Sequence, residues 1–212
     1  TARLTHATPA ATWAHAPDRD WENDTDLPAA AVAEGCIDIA RQMVATPCGR
    51  GPQVLLAGGR GEFMPVEMRD PEYDDKVGQR LDGRDLVAEW KQRHGGGVYA
   101  WNKAQLDAAP LDKPLLALFQ PDHMQFEYER PKDVAGEPSL AEMTRAAIAR
   151  LSRNPNGYVL LVEGGRIDHA NHYGNAYRAL TDAVAMSDAV RAASEASSPD
   201  DTLILVTADH SH

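Results

Sequence analysis

The feature that most constrains the fold is an alternation of helix and apolar strand near the carboxyl end of the chain. It starts at Ser139-Leu-Ala-Glu142, a capping-box sequence in which serine and glutamate side chains satisfy backbone N–H groups at a helix start. The elements after this helix are, in order, an apolar strand at 158–162, a helix at 175–196 and an apolar strand at 202–206. Continuously apolar strands separated by helices are typical of parallel sheets covered on both faces. The pattern therefore predicts an α/β fold.

The upstream half of the chain shows a less regular version of the same pattern. Apolar residues at helical spacing predict one helix from Leu27 to Thr46, ended by a break at 47–52. The further elements predicted here are a strand at 54–57, a loop at 60–83, a helix at 85–93 and an apolar run at 115–119. We expect these segments to join the same α/β core.

Composition excludes several classes of protein. The 212 residues carry 21 Lys+Arg against 32 Asp+Glu, a formal net charge of −11. Such an acidic chain lacks the basic surface by which proteins bind nucleic acid or anionic membranes nonspecifically, and nucleic acid is not an expected partner. No apolar run approaches the roughly 20 residues of a membrane span. Two cysteines are too few for a disulfide-rich scaffold or a cysteine-based zinc module.

Acids and histidines follow the last two apolar runs directly. Glu163, Asp168 and His172 come after the first run, and Asp209 and His210 come after the second. Since ligands of open α/β sheets bind beyond the carboxyl ends of the strands, these side chains are expected at one edge. One helical turn separates positions 168 and 172, so both side chains can face one point.

These residue types predict a metal centre. Three carboxylates brought to one sheet edge repel one another unless cations compensate their charge. Imidazole and carboxylate ligands without thiolate suit catalytic zinc, and oxygen-only clusters suit magnesium. With metals bound, an acidic protein can accept an anionic substrate. The simpler alternatives are a surface Asp–His pair and, for Gly164-Gly165, an ordinary turn.

The segments Val162–His169 with His172, and Val206–His212, closely resemble the two metal-ligand motifs of alkaline phosphatases. Thr1–His15 resembles a third characteristic segment of that family, and the middle of the chain is most similar to the animal-type branch and its bacterial relatives. The resemblance implies a three-layer α/β/α fold with a mainly parallel central sheet, incomplete in this chain. Residues 1–212 would be the central part of a single catalytic domain.

The resemblance also implies a role for individual residues. The implied ligands are Asp168 and His172 for a first zinc, Asp209 and His210 for a second zinc, and Thr8 and Glu163 for magnesium. Arg19 stands where the family places the arginine that grips the substrate phosphate, a task that suits the planar guanidinium fork. His6, His169 and His212 are expected beside the metals without binding them directly. We expect His15, His94 and His123 to be ordinary surface or structural histidines.

A fourth, calcium-binding site occurs in the animal-type branch. Glu72 and the carbonyl of Phe119 match two of its ligands, and Glu137 occupies the place of its aspartate. A family glutamate is replaced by Gln120, which removes one negative charge and should weaken calcium binding. A solvated acidic loop is the alternative interpretation.

The implied activity is hydrolysis of small phosphate monoesters through a phosphoserine, at a site with two zinc ions and one magnesium ion. The family's nucleophile is a serine that follows an aspartate, and this chain contains no Asp-Ser dipeptide. We therefore expect the nucleophile segment and the carboxyl-terminal part to lie outside these residues, and the 212 residues alone to be inactive. The full-length form is expected to be a homodimer in the periplasm, outside the cell or on its surface.

Two other functions remain open from the sequence. A phosphodiesterase or sulfatase of the same superfamily would share the metal scaffold, and a noncatalytic metal-binding domain would need no nucleophile. For the cysteines, the resemblance implies that Cys36 pairs with a cysteine upstream of this segment, whereas Cys48 has no counterpart and is expected to be a buried or free thiol.

Overall fold

The structure is a computed structural model that describes residues 1–46, 49 and 51–212. Cys48, and part of the break expected at 47–52, lie outside the described residues. The helices are α1 (Ala7–Ala10), α2 (Ala29–Ala33), α3 (Ile39–Ala45), α4 (Leu86–Arg93), α5 (Lys103–Ala108), α6 (Leu140–Leu151), α7 (Arg166–His172) and α8 (Ala176–Glu195). The strands are β1 (Val54–Ala57), β2 (Val98–Ala100) and β3 (Leu115–Leu118).

The three strands form a parallel sheet with β3 at its centre. Their order is β1-β3-β2, and Leu115 is in register with Val54 on one side and Val98 on the other. Every residue of β3 is fully buried. A short, wholly apolar strand between two parallel neighbours is typical of α/β folds, and the apolar run at 115–119 joins the core as expected. The predicted α/β class is confirmed.

Helices cover both faces of this sheet. Leu116 and Leu118 point to one side, where they pack with residues of α3 and α4, including Met43 and Trp90. Leu115 and its neighbours on the other face pack with residues of α5, α6 and α8. Alternate side chains of one strand therefore enter two separate cores, which gives the predicted three layers.

Local capping signals predict where several helices begin. The Ser139 hydroxyl accepts the Glu142 N–H, and the Glu142 carboxylate accepts the Ser139 N–H at 2.8 Å, so the capping box at α6 is complete. Asp85 and Asn175 likewise accept backbone N–H groups at the starts of α4 and α8. The sequence predicts these helix starts correctly because a cap involves only residues that are three positions apart.

The single helix predicted from Leu27 to Thr46 is wrong. The structure has two short helices, α2 and α3, separated at Gly35, whose φ of 86° is left-handed. Asp38 then starts α3 by accepting the Arg41 N–H at 2.8 Å. The predicted apolar face is buried in α3, through Ile39, Ala40 and Met43, but not in α2, where Val32 is 54% exposed.

The strands predicted at 158–162 and 202–206 are also wrong for the residues that the structure describes. Neither segment pairs with the sheet, and Val159 and Leu203 are 96% and 81% exposed. A strand needs a neighbour to accept and donate backbone hydrogen bonds, and no described segment lies beside these runs in that role. Val159 and Leu203 therefore remain on the surface, whereas Val162 is partly buried against the core that contains Leu115.

The segment 60–83, expected to be a loop, is mostly irregular but is well anchored. It begins with a 3₁₀ turn at Arg60–Phe63. Buried Arg60 pairs with Asp70 at 2.6 Å, and buried Arg80 pairs with Asp38 at 3.0 Å.

The short elements β2 and α5 were not predicted, because neither is long enough to show a periodic pattern. None of the described helices combines the length and apolarity needed to cross a bilayer.

Candidate metal centre

The amino-terminal segment lies along the carboxyl end of β1. Leu4 donates its N–H to the Gly58 carbonyl at 3.0 Å, and Gly58 leaves no room for a side chain because a Cβ would lie 2.3 Å from the Asp122 carbonyl oxygen. The Thr1 amino group donates to the Glu163 carbonyl at 2.9 Å. The start of the chain is thus held between the end of a strand and the motif that begins at residue 163.

The motif after residue 162 turns into α7. Gly165 packs closely against Ala2, and α7 then carries Asp168, His169 and His172. Asp168 Oδ2 and His172 Nε2 lie 3.4 Å apart on neighbouring turns of this helix. The two side chains therefore lie close together, as their separation of one helical turn in the sequence predicts.

The predicted metal and phosphate residues surround one cavity of about 240 Å³. Its lining residues are His6, Ala7, Thr8, Arg19, Glu163, Gly165, Asp168, His169, His172, Asp209 and His210. They come from α1 and the residue before it, from the loop after α1, from α7 and the residues just before it, and from the last residues of the chain. Segments far apart in sequence are therefore brought to one place by the fold, although the two predicted strands do not form.

Asp168 is at the centre of the carboxylate and imidazole groups. His212 Nε2 lies 3.1 Å from Asp168 Oδ1, and His210 Nε2 lies 3.9 Å from the same oxygen. Asp168, His172 and His212 together form a group whose ligand atoms lie within 4.8 Å of one another. His212, expected not to bind metal directly, therefore lies as close to Asp168 as the expected ligand His172.

Arg19 reaches the cavity from an exposed loop. Its Nη2 lies 3.2 Å from His6 Nε2, and because a guanidinium can only donate, this imidazole nitrogen is the acceptor. Burial lowers the pKa of His6, and the charges of Arg19 and Arg3 lower it further against the opposing effect of Glu22. A neutral His6 thus holds one side of the Arg19 guanidinium and leaves its other donors open to the cavity.

A second histidine cluster, which the sequence did not predict, adjoins this cavity. The rings of His6, His123 and His169 lie 4.3 to 5.2 Å apart between centroids. They offer nitrogens that all lie within 4.8 Å of one another. Burial, with the charge of Arg3, lowers the pKa of His123 to about 2, and burial with the charge of Arg166 lowers that of His169 to about 4. All three rings are neutral at pH 7.

The position of His123 in the sequence could have identified it as a candidate site residue. It follows β3 by five residues, just as the other acids and histidines follow apolar runs. The rule that parallel strands deliver ligands at their carboxyl ends therefore covers His123 too. A lone histidine in an irregular segment was insufficient without knowing which neighbours it meets.

The same residues place the chain among known proteins. A family profile described as "Alkaline phosphatase" matches residues 1–212, the whole chain. The chain belongs to the alkaline phosphatase family. It is 46% identical to the tissue-nonspecific alkaline phosphatase isozyme of Felis catus and 46% identical to an alkaline phosphatase of Gadus morhua, in each case over its full length. The resemblance seen in the sequence is confirmed.

Solved structures of alkaline phosphatases have the same fold. The enzyme of Thermus thermophilus is 33% identical over 90% of this chain, with a TM-score of 0.68. A cold-active alkaline phosphatase of Shewanella sp. is 26% identical over 92% of this chain, with a TM-score of 0.65. The chain spans 41% of the length of the Felis catus relative and 33% of the Thermus thermophilus chain.

The two acids expected to bind calcium both lie near Asp133, but each makes its own contacts. Glu72 pairs with buried Arg60 at 2.8 Å, whereas Glu137 accepts the backbone N–H of Gln125 at 3.0 Å. Burial raises the pKa of Glu137 to about 8, so this carboxyl group is mostly protonated at pH 7. Among the described residues, neither acid belongs to a cluster of three potential metal ligands. Phe119, whose carbonyl was the third expected ligand, is buried at the end of β3.

Proposed function

We propose that this chain supplies the metal and phosphate residues of an enzyme that hydrolyses phosphate monoesters. The observation that carries the proposal is the convergence of Arg19 with Glu163, Asp168 and His210 on one cavity. A guanidinium beside carboxylates and imidazoles can bind phosphate only if cations offset the acids. Phosphate, divalent metals and Arg19 therefore form one chemically consistent set.

The donor atoms at the cavity fit the metals that the family resemblance implies. Asp168 Oδ1 is buried and has no hydrogen-bond partner among the described residues, although His212 Nε2 lies 3.1 Å away. A buried carboxylate oxygen without a partner is costly unless a cation binds it. The mixture of imidazole and carboxylate donors suits zinc, while a hydroxyl and a carboxylate suit magnesium.

We assign the metal ligands accordingly. Asp168 and His172 would hold one zinc, Asp209 and His210 the second, and Thr8 with Glu163 the magnesium. Bound zinc supplies Lewis acidity, which stabilises charge on phosphoryl oxygens and lowers the pKa of a coordinated water or alcohol. A calcium ion at Glu72, the Phe119 carbonyl and Glu137 stays a prediction from the family resemblance, and the replacement of a family glutamate by Gln120 removes one negative charge from that site.

Arg19 would orient the substrate. Its Nη2 contacts His6, and the remaining guanidinium donors are free to pair with two phosphate oxygens at once. Because the negative charge of a phosphoryl group is spread over these oxygens during transfer, a fixed fork of donors stabilises the transition state. His6 would act as a positioning residue for this fork.

The serine nucleophile is proposed to lie in a segment outside these 212 residues. The chain contains no Asp-Ser dipeptide and spans less than half of the length of its curated relatives. We infer that residues 1–212 are the central part of one catalytic domain, and that the complete enzyme forms a phosphoserine intermediate. Its homodimeric state and its periplasmic, extracellular or cell-surface location stay predictions from the family resemblance.

Ligand binding separates this function from those of related enzymes. Purified chain loaded with Zn²⁺ and Mg²⁺ is titrated with an aryl phosphate monoester, a diaryl phosphate and an aryl sulfate. We expect binding of the monoester in preference to the other two, without turnover. Preferential binding of the diester or the sulfate would contradict the monoesterase assignment, and zinc-dependent turnover would contradict the missing nucleophile.

A further inference from the structure

We propose that His6, His123 and His169 form a separate binding site for a late first-row divalent ion such as Zn²⁺, Ni²⁺ or Cu²⁺. Each ring offers a nitrogen, and the three nitrogens lie within 4.8 Å of one another. Imidazole is the ligand that these ions share. Three imidazoles with a remaining open position also match the ligand number of many catalytic zinc sites.

The cluster is built on three different parts of the fold. His6 immediately precedes α1, His123 follows β3, and His169 lies in α7. All three side chains are half-buried. The His6 ring meets the other two rings edge-on, with centroid distances of 5.1 Å to His123 and 5.2 Å to His169. Because separate elements fix the rings, little conformational entropy remains to be lost when an ion binds.

This site uses none of the ligands assigned above. The other potential metal group consists of Asp168, His172 and His212, and it shares no residue with the cluster. His6 and His169 line the edge of the 240 Å³ cavity, whereas His123 lies outside its lining. An all-imidazole site also differs chemically from the mixed carboxylate and imidazole groups, since it adds no negative charge and favours the later ions over magnesium.

Arginine donors currently occupy one lone pair on each ring. Arg166 Nη1 lies 2.9 Å from His169 Nδ1, Arg19 Nη2 lies 3.2 Å from His6 Nε2, and the backbone N–H of Arg3 donates to His123 at 2.9 Å. A neutral imidazole has one lone pair in the ring plane, so an ion and an arginine donor compete for it. Ion binding must therefore displace the Arg19 and Arg166 side chains and shift the His123 ring away from the Arg3 N–H, and removing a competing donor should strengthen binding.

Nickel binding tests the site in the absence of the three other histidines that lie near Asp168. The background is the full chain with His172→Ala, His210→Ala and His212→Ala, stripped of metal and titrated with Ni²⁺ by calorimetry. We expect one ion per chain. Adding His123→Asn should lower its affinity by at least about 10-fold, the loss that even an outer-shell partner causes. His15→Ala, which removes an exposed histidine, is the matched control and should change nothing.

A second variant tests the competition directly. Arg166→Met removes the donor to His169 while keeping an apolar contact with Phe126, over which the guanidinium now lies at 3.7 Å. It should raise Ni²⁺ affinity in the same background. Circular dichroism establishes that each variant is folded. Unchanged Ni²⁺ affinity in folded His123→Asn would overturn the proposal. It would not bear on the phosphate site, because the histidine ligands assigned to the two zinc ions are already replaced in this background.

Discussion

Asp168 Oδ1 and His212 Nε2 lie 3.1 Å apart, yet the buried oxygen has no hydrogen bond among the described residues. The two atoms are close but not aligned as donor and acceptor, which is the arrangement of two ligands of a shared cation. His172 approaches the other oxygen of the same carboxylate at 3.4 Å. The account of the metal centre therefore rests most heavily on Asp168.

Replacing Asp168 should remove zinc binding at this group. Asp168→Asn keeps the shape of the side chain but removes its charge, and we expect zinc affinity to fall by at least about 10-fold. The measurement is a Zn²⁺ titration of metal-free chain. Asp200→Asn removes a charge from an exposed loop and should bind zinc normally. Equal affinities for the two variants would rule out Asp168 as a ligand.

Asp38 should be essential for stability rather than for binding. Its carboxylate accepts from buried Arg80 at 3.0 Å and also caps α3. Asp38→Ala leaves Arg80 buried with fewer partners, so we expect the free energy of unfolding to fall by about 3–5 kcal/mol. Urea denaturation measures this change.

The control for Asp38 is an exposed ion pair of similar length. Asp188 lies 2.7 Å from Arg191 on the surface of α8. Asp188→Ala should change the free energy of unfolding by no more than about 1 kcal/mol, because water screens exposed pairs. Similar losses for both variants would show that burial of the Arg80 pair is unimportant.

The cap of α6 offers a smaller and more local test. Ser139→Ala removes the two hydrogen bonds of the hydroxyl with Glu142 but keeps the bond from the backbone N–H of residue 139 to the Glu142 carboxylate, and it should lower the free energy of unfolding by about 1 kcal/mol. Ser194→Ala, on the exposed side of α8, should stay within about 0.5 kcal/mol of the parent. A loss for Ser194→Ala as large as that for Ser139→Ala would argue against the cap.

The features that the sequence predicted correctly are those set by near neighbours. The capping box needs only Ser139 and Glu142, and the run at 115–118 is buried because all its side chains are apolar. The runs at 158–162 and 202–206 have the same composition, but a strand also needs a hydrogen-bonding neighbour, and sequence periodicity contains no information about that neighbour. The break at Gly35 was missed because apolar spacing continues through it.

In the candidate site, too, the sequence predicts contacts between near neighbours but not contacts between distant segments. Asp168 and His172 are one helical turn apart, so their proximity follows from local geometry. His123 meets His6 and His169 only through the fold, from positions more than 40 residues away in each direction. Family resemblance names residues at known positions, and His123 is outside those motifs. The three-histidine cluster was therefore visible only in the structure.

Glu137 should make a contribution to stability that falls as the pH rises through the range in which it ionises. Burial raises its pKa to about 8 in the folded protein, from 4.5 as the ordinary value, so the folded state holds a proton that the unfolded state releases. Its contribution to the free energy of unfolding should therefore decrease between about pH 5 and pH 8, by up to about 1.4 kcal/mol per pH unit, while the buried neutral histidines act in the opposite direction below pH 6.5. Buried Glu62, with a pKa raised to about 7, adds to the same trend.

Glu137→Gln isolates this contribution. Glutamine cannot ionise, so the decrease between pH 5 and pH 8 should become shallower, whereas Glu195→Gln on the exposed end of α8 should leave the slope unchanged. Urea denaturation at four pH values over this range gives the slopes. A slope in Glu137→Gln identical to that of the parent would contradict the buried, protonated carboxyl group.

The central claim is that the cavity binds phosphate through Arg19 and bound zinc, and calorimetry with inorganic phosphate tests it most directly. We expect the zinc-loaded chain to bind phosphate. Arg19→Ala should bind it about 10-fold or more weakly, because a hydrogen bond to a charged group is worth about 1.5–3 kcal/mol. Arg153→Ala, which removes an exposed arginine, should bind phosphate normally. Phosphate affinity that is unaffected by Arg19→Ala, or equal with and without zinc, would contradict the account.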